Sequence, residues 1–239
     1  MEWEEWKPIY MRIVHRLNLD PEQDRIATSI LTALLTNSEP SILLRALSEL
    51  VRKRNVLVCG AGPSLEKHLK QAKRDGIDNY TIVAADGACG ALLENKLTCD
   101  VIVTDLDGDL NHIKECQKNG AIVVVHAHGD NIDTIKKYVP GMLPVLGSTQ
   151  VEPTDCVFLW GGFTDGDRAT HLVAEYNPKR VTLAGMDFGL RVGKWSKPGH
   201  KDHYQAGTRK AIKLAIGQEL LCIPLEKAGI EYSLIDQRD

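Results

Sequence analysis

The chain has 239 residues, enough for one large α/β domain with a small appendage rather than two full domains. Its 29 Lys and Arg stand against 32 Asp and Glu, which leaves no global basic field for nucleic acid, so any anionic ligand must be met by a local pocket. The six cysteines form no CxxC pair, the amino-terminal segment is acidic and aromatic, and no run approaches about 18 uninterrupted apolar residues; these features imply a soluble cytoplasmic protein with reduced, mostly buried thiols and no membrane segment.

Residues 1–52 read as a helical segment. Trp3, Trp6 and Tyr10 lie in its first helix, where they pack on the core or on a second copy in a homo-oligomer. Asp20 is placed to cap a second helix with Pro21 at its first position, and Ile26, Ile30, Leu31, Leu34 and Leu35 recur at helical spacing. A third helical stretch, EPSILLRALSELV, follows.

Residues 53–239 have a different texture and form the expected α/β catalytic domain. Short apolar runs rich in β-branched residues alternate with helical stretches: VLVC (56–59), TIVAA (81–85), VIVT (101–104), AIVVVH (121–126), VFLW (157–160) and RVTLAG (180–185). Such runs predict a largely parallel, Rossmann-like sheet with helices on both faces. Ligands of these sheets bind beyond the carboxyl ends of the strands, so the residues just after each run are the candidates for chemistry.

After the first run, GAGPSLEKHL (60–69) joins strand to helix, and Gly60, Gly62 and Ser64 are candidates for holding an anion on free backbone N–H groups. It is not a dinucleotide fingerprint, because Leu65 stands at the third glycine. After the second run, Asp86 and Gly87 would meet a nucleotide or a metal, or Asp86 would merely cap a helix. After the third, TDLDGDL sets Asp105 and Asp107 on one side of an extended chain, a pairing suited to Mg²⁺. An EF-hand does not fit, since Leu110 and Cys116 occupy its glycine and glutamate positions. Asp109 reads as a helix cap.

The fourth run ends in His126-Ala127-His128, a pair that suits hydrogen bonding better than zinc, followed by Asp130 and Asp133 at a helix start. GGFTDGDRATHLVAEY (161–176) carries Arg168 and His171 three apart, with Arg168 able to take phosphate bidentately. Asp187 follows the last run, and a glycine- and lysine-rich loop with Lys197 and Lys201 precedes a basic helix. Its composition suits either a lid over phosphates or a solvated loop.

In order, Asp86-Gly87, Asp105-Leu106-Asp107-Gly108, Asp130-x-x-Asp133 and Arg168-x-x-His171 resemble the ADG, DxDS, DxxTD and RxDH motifs of thiamine pyrophosphokinases, with Gly108, Ile132 and Thr170 as departures. With GAGPSLEKHL upstream and GMDFG downstream, the pattern is closer to the archaeal 6-hydroxymethyl-7,8-dihydropterin pyrophosphokinases over roughly residues 55–225. The resemblance implies a thiamine pyrophosphokinase-like catalytic domain that transfers diphosphate from ATP to the hydroxymethyl group of a reduced pterin, releasing AMP. The step belongs to tetrahydromethanopterin or folate-type cofactor synthesis. It implies Mg²⁺ on Asp105 and Asp107 with Asp130 completing or water-bridging the site, Arg168 with Lys197 or Lys201 on phosphates, Asp86 or Asp133 near the nucleotide or the attacking hydroxyl, and Asp187 on the pterin's amino-pyrimidine edge. Competing readings are a thiamine diphosphokinase, a nucleotide-sugar glycosyltransferase-like protein sharing GxGPSL, and a haloacid-dehalogenase-like phosphatase, whose DxDG[TV] motif is departed from at Asp109.

Overall fold

The computed structural model describes residues 1–235. Three helices lead: α1 (Trp3–Leu17), α2 (Pro21–Leu35) and α3 (Pro40–Val51). Asp20 caps α2 by accepting the Glu22 N–H, with Pro21 in the first turn where its missing donor costs nothing. Strands and helices then alternate: β1 (Asn55–Cys59), α4 (Leu65–Arg74), β2 (Tyr80–Ala85), α5 (Ala88–Glu94), β3 (Val101–Thr104), α6 (Leu110–Lys118), β4 (Ile122–Ala127) and α7 (Ile132–Tyr138). Next come β5 (Leu146–Thr149), β6 (Val157–Phe158), α8 (Asp165–Glu175) and β7 (Arg180–Ala184). The chain closes with β8 (Arg191–Val192), β9 (Tyr204–Gln205), α9 (Thr208–Leu220), α10 (Ile223–Lys227) and β10 (Tyr232–Leu234).

Eight strands form one parallel sheet in the order β10-β7-β1-β2-β3-β4-β5-β6, and β8 and β9 make a small antiparallel hairpin. The sheet grows outward from β1 to β6, then crosses back to place β7 on the other side of β1. That reversal is the switch point beside which open α/β sheets bind ligands. β5 and β10 lie outside the runs picked from the sequence. In β5, Gly147 interrupts the β-branched texture, and β10 is an edge strand of three residues. The run 157–160 contributes only two residues of strand.

Alternation along each strand sorts the core into two layers. Leu57, Ile82, Ile102, Val123 and Val125 face α2, α4, α5, α6 and α7. Val56, Val58, Val83, Val101 and Val124 face α3, α8 and α10. The helices of the amino-terminal segment therefore divide between the two faces. α1 packs elsewhere, setting Trp6, Tyr10, Ile13 and Leu17 against Ile216 and Leu220 of α9. Trp6 and Tyr10 are thus committed to the protein's own core. Five of the cysteines are buried and all six are free. No helix among the described residues is long and apolar enough to cross a membrane.

Leu31 of α2 is fully buried in the layer it shares with the central strands. Leu31→Ala should destabilise the whole domain by about 2–5 kcal/mol, whereas Ile42→Ala, at a side chain 64% exposed, should leave the denaturation midpoint nearly unchanged. Chemical denaturation of both variants checks this.

Candidate active site

Strand register brings the acidic residues together. Ala85 pairs with Val103 and Thr104 with Val125, so Asp86, Asp105 and the residues after β4 leave the sheet at nearly one level. The Asp86 N–H bonds to the Val103 carbonyl at 2.8 Å. Thr104 Oγ1 donates to Asp86 Oδ1 at 2.5 Å and accepts the Leu106 N–H at 2.8 Å. Leu106 takes a left-handed backbone, φ +66°, and buries its side chain in the core, which leaves Asp105 and Asp107 on the cavity side of the turn. A Cβ at Gly108 would collide with the Asp86 carboxylate, so glycine is what lets these segments meet.

The result is a group of carboxylate oxygens from Asp86, Asp105 and Asp107, all within 4.8 Å of one another. Carboxylate donors without thiol or imidazole suit a hard cation such as Mg²⁺. Asp86, and not the expected Asp130, is the third member. Asp130 lies one strand farther along, at the cavity rim with its side chain exposed, because the turn after β4 points it outward. Burial pushes the Asp86 carboxyl up to about 6, helped by repulsion from Asp105 and opposed by the Thr104 hydrogen bond. Asp105 goes the other way. Burial would raise it, but His128, Arg168 and Lys197 together hold it well below the usual carboxylate range.

His128 Nδ1 accepts the Asp130 N–H at 3.3 Å, which leaves the proton on Nε2, 3.3 Å from Asp105 Oδ2. His126 is fully buried, its Nδ1 2.7 Å from Ser148 Oγ. Both rings are engaged in ways that do not converge on a metal. Asn131 Nδ2 donates to the Asp105 and His126 carbonyls at 2.8 and 2.7 Å, tying the ends of β3 and β4 together. Asp133 is exposed on α7 and does not line the cavity, since it falls beyond the turn that faces the sheet ends.

A cavity of about 420 Å³ opens over these groups. Arg168 lines it from the start of α8, which is set by a capping box between Thr164 and Asp167. Its Nη1 donates to Asp165 Oδ1 at 3.2 Å and its Nη2 to Gln150 Oε1 at 3.1 Å, while the buried Nε has no partner among the described residues. Asp165 is itself pushed well above its ordinary value, by burial first and then by Asp105. His171 is turned away from the cavity. Its Nε2 lies 3.1 Å from the Leu220 carbonyl and its ring meets Trp6 edge-on, so one helical turn beyond Arg168 this face serves packing of α1 and α9.

The glycine turn after β1 also differs from expectation. Gly60 and Gly62 line the cavity, but Asp187 Oδ2 accepts both the Ser64 N–H at 3.1 Å and the Ser64 hydroxyl at 2.9 Å. A Cβ on Gly62 would strike that carboxylate. The donors proposed for an anion are therefore answered within the fold, Ser64 by Asp187 and the Gly60 and Gly62 N–H groups by the Ala184 and Gly185 carbonyls, and Asp187 lines the cavity as an acceptor toward a ligand. Gly87 lines it too, and Lys197 of the loop pairs with Asp107. Lys201 is exposed and outside the lining, because it lies at the far tip of the hairpin connection.

Arg209, Lys210 and Lys213 of α9 complete the wall, none of them singled out from the sequence. Burial pushes the Lys213 ammonium down, with Asp130 and Asp105 opposing, and no carboxylate among the described residues lies within ion-pair distance of Lys210 or Lys213. The only signal was the basic spacing of the helix.

A carboxyl raised from 3.8 to about 6 favours its proton in the folded state, so metal-free stability falls as pH rises through that window, while a divalent cation must displace the proton below it. Mg²⁺ should therefore raise the melting temperature more at about pH 7.5 than at about pH 5. Equal shifts at both pH values would remove Asp86 from the cation site.

A family model described as 6-hydroxymethylpterin diphosphokinase MptE-like matches residues 30–193. A 6-hydroxymethyl-7,8-dihydropterin pyrophosphokinase of Pyrococcus furiosus is 46% identical over 92% of this chain and 93% of its own length. Proteins of the same description from Methanocaldococcus jannaschii and Methanothermobacter thermautotrophicus are 40% and 42% identical, covering 97% and 92% of this chain and 99% and 94% of their own. With a model match across most of the α/β region and such relatives along nearly the whole chain, the protein belongs to the MptE-like 6-hydroxymethylpterin diphosphokinase family.

Proposed function

We propose that this protein transfers diphosphate from ATP to the hydroxymethyl group of 6-hydroxymethyl-7,8-dihydropterin and releases AMP, a step of tetrahydromethanopterin or folate-type cofactor synthesis. The observation that carries the reading is the pairing, in one cavity, of a three-carboxylate group with a basic wall that includes Arg168, Lys197, Lys210 and Lys213. That combination suits a polyphosphate with its cation. A phosphatase of the haloacid dehalogenase type asks less of the basic wall, and neither family membership nor the position of Asp109 favours it. Asp109 accepts the Asn111 N–H as the cap of α6.

Asp86, Asp105 and Asp107 would hold Mg²⁺, which when bound offsets phosphate charge and polarises the phosphoryl oxygens. The chain's own residues do the rest by position. The Arg168 guanidinium and the ammonium groups of Lys210 and Lys213 meet the triphosphate from the cavity wall. The pterin hydroxyl oxygen bonds to the β-phosphorus and gives up its proton to solvent as the bond from that phosphorus to the bridging oxygen breaks, and AMP departs with that oxygen. Little covalent chemistry falls to the protein, so alignment and electrostatics supply the acceleration. Asp187, its near oxygen already occupied by Ser64, presents its remaining acceptor capacity to the amino-pyrimidine edge of the pterin.

Incubation with ATP, Mg²⁺ and the reduced pterin should yield AMP and the pterin diphosphate, and thiamine in place of the pterin should yield none. ADP or free phosphate as the nucleotide-derived product would refute the diphosphokinase reading. Asp105→Asn and Asp107→Asn should each abolish turnover while leaving the circular dichroism spectrum unchanged, and wild-type turnover in either would refute its assignment.

A further inference from the structure

One buried carboxylate outside the proposed phosphate and metal contacts gathers more donors than packing requires. Asp24 of α2 is 4% exposed, and no Lys, Arg or His among the described residues comes within ion-pair distance of it. Burying a charge without a counter-ion is costly unless hydrogen bonds replace its water. Here three donors do so from three separate segments. Oδ2 accepts the Tyr10 hydroxyl at 2.6 Å and Gln150 Nε2 at 2.7 Å, and Oδ1 accepts the Gly129 N–H at 2.7 Å.

The consequence lies one bond farther on. An ionised carboxylate only accepts, so it selects one orientation of the Gln150 amide, NH₂ toward Asp24 and oxygen toward Arg168. That oxygen receives Arg168 Nη2 at 3.1 Å. The Gln150 backbone is held as well, its carbonyl accepting Trp6 Nε1 at 2.9 Å. With Nη1 on Asp165 and Nη2 on Gln150, the guanidinium is fixed on two sides and its buried Nε remains without a partner in the cavity wall. A second arm runs through Gly129, whose N–H bond to Asp24 anchors the turn that carries His128 toward Asp105.

We infer that Asp24 is a positioning residue, by which the amino-terminal helices orient the Arg168 guanidinium through Gln150 for capture of the substrate's phosphates. The inference rests on the diphosphokinase reading for its effect on turnover, but not for its effect on phosphate binding.

The test uses the full chain and a double-mutant cycle read by AMP formation and by calorimetric binding of inorganic pyrophosphate with Mg²⁺. Asp24→Asn lets the amide at 150 turn its NH₂ toward the guanidinium, and Gln150→Glu sets two carboxylates against each other. Each single change should lower kcat by about tenfold or more, the usual scale for losing a group that orients a ligand-binding residue, and should weaken pyrophosphate binding. The double variant, Asp24→Asn with Gln150→Glu, restores a donor at 24 and an acceptor facing Arg168, and should recover most of both losses. A merely structural role predicts additive losses and a melting temperature that falls with each change, without recovery. Singles within twofold of wild type, or a double no better than the worse single, overturn the inference. If wild type forms no AMP, the reaction reading fails, and the pyrophosphate cycle still decides the role of Asp24.

Discussion

The mutual repulsion of Asp86, Asp105 and Asp107 is the constraint around which the rest of the site is arranged. Three carboxylates with oxygens inside 4.8 Å, two of them largely buried, are tolerated only where protons, cations or hydrogen bonds compensate. The structure divides the burden. Asp105 keeps its charge through His128, Arg168 and Lys197, whereas Asp86, more deeply buried and facing Asp105, retains a proton up to about 6. A divalent cation bound there would have to displace that proton, which is the exchange the proposed function asks of Asp86.

The compensation comes from distant parts of the chain. Arg168 arrives on α8 from the opposite face of the sheet, Lys197 on the connection between β8 and β9, and Lys210 and Lys213 on α9. The fold holds these elements over the carboxyl ends of β2 and β3 because the chain, after running outward to β6, returns to β7 beside β1. The same crossing places Asp187 against the glycine turn, where it ties up Ser64 and gives that end of the cavity an acceptor character. The cavity is therefore polar in two senses, cationic toward α9 and acidic at both the three-carboxylate group and the switch point.

The amino-terminal helices belong to this arrangement. α2 shares a core layer with the central strands, α3 covers the other face, and α1 closes over α8 and α9. Asp24 links them to the site by bonding at once to Tyr10, Gln150 and Gly129. Apolar burial holds the helices in place, and the buried polar network specifies which way the groups at the cavity face.

The sequence by itself determined the alternation of buried parallel strands with helices, the capped start of α2, the cap at Asp109 and the concentration of acidic residues at strand ends. These are legible because continuous apolar strand runs, capping chemistry and Asp-Gly turns act over a few residues. It also singled out Arg168, which the structure sets in the cavity wall. Only the tertiary structure decided that Asp86 joins Asp105 and Asp107 while Asp130 stands at the rim, that His171 serves packing, and that Ser64 is answered by Asp187. The same holds for Gln150, Lys210 and Lys213, whose positions depend on the register of β2 with β3, on β5, and on the return of α9 over the sheet. Such contacts join residues tens to more than a hundred positions apart, and no local pattern carries that information.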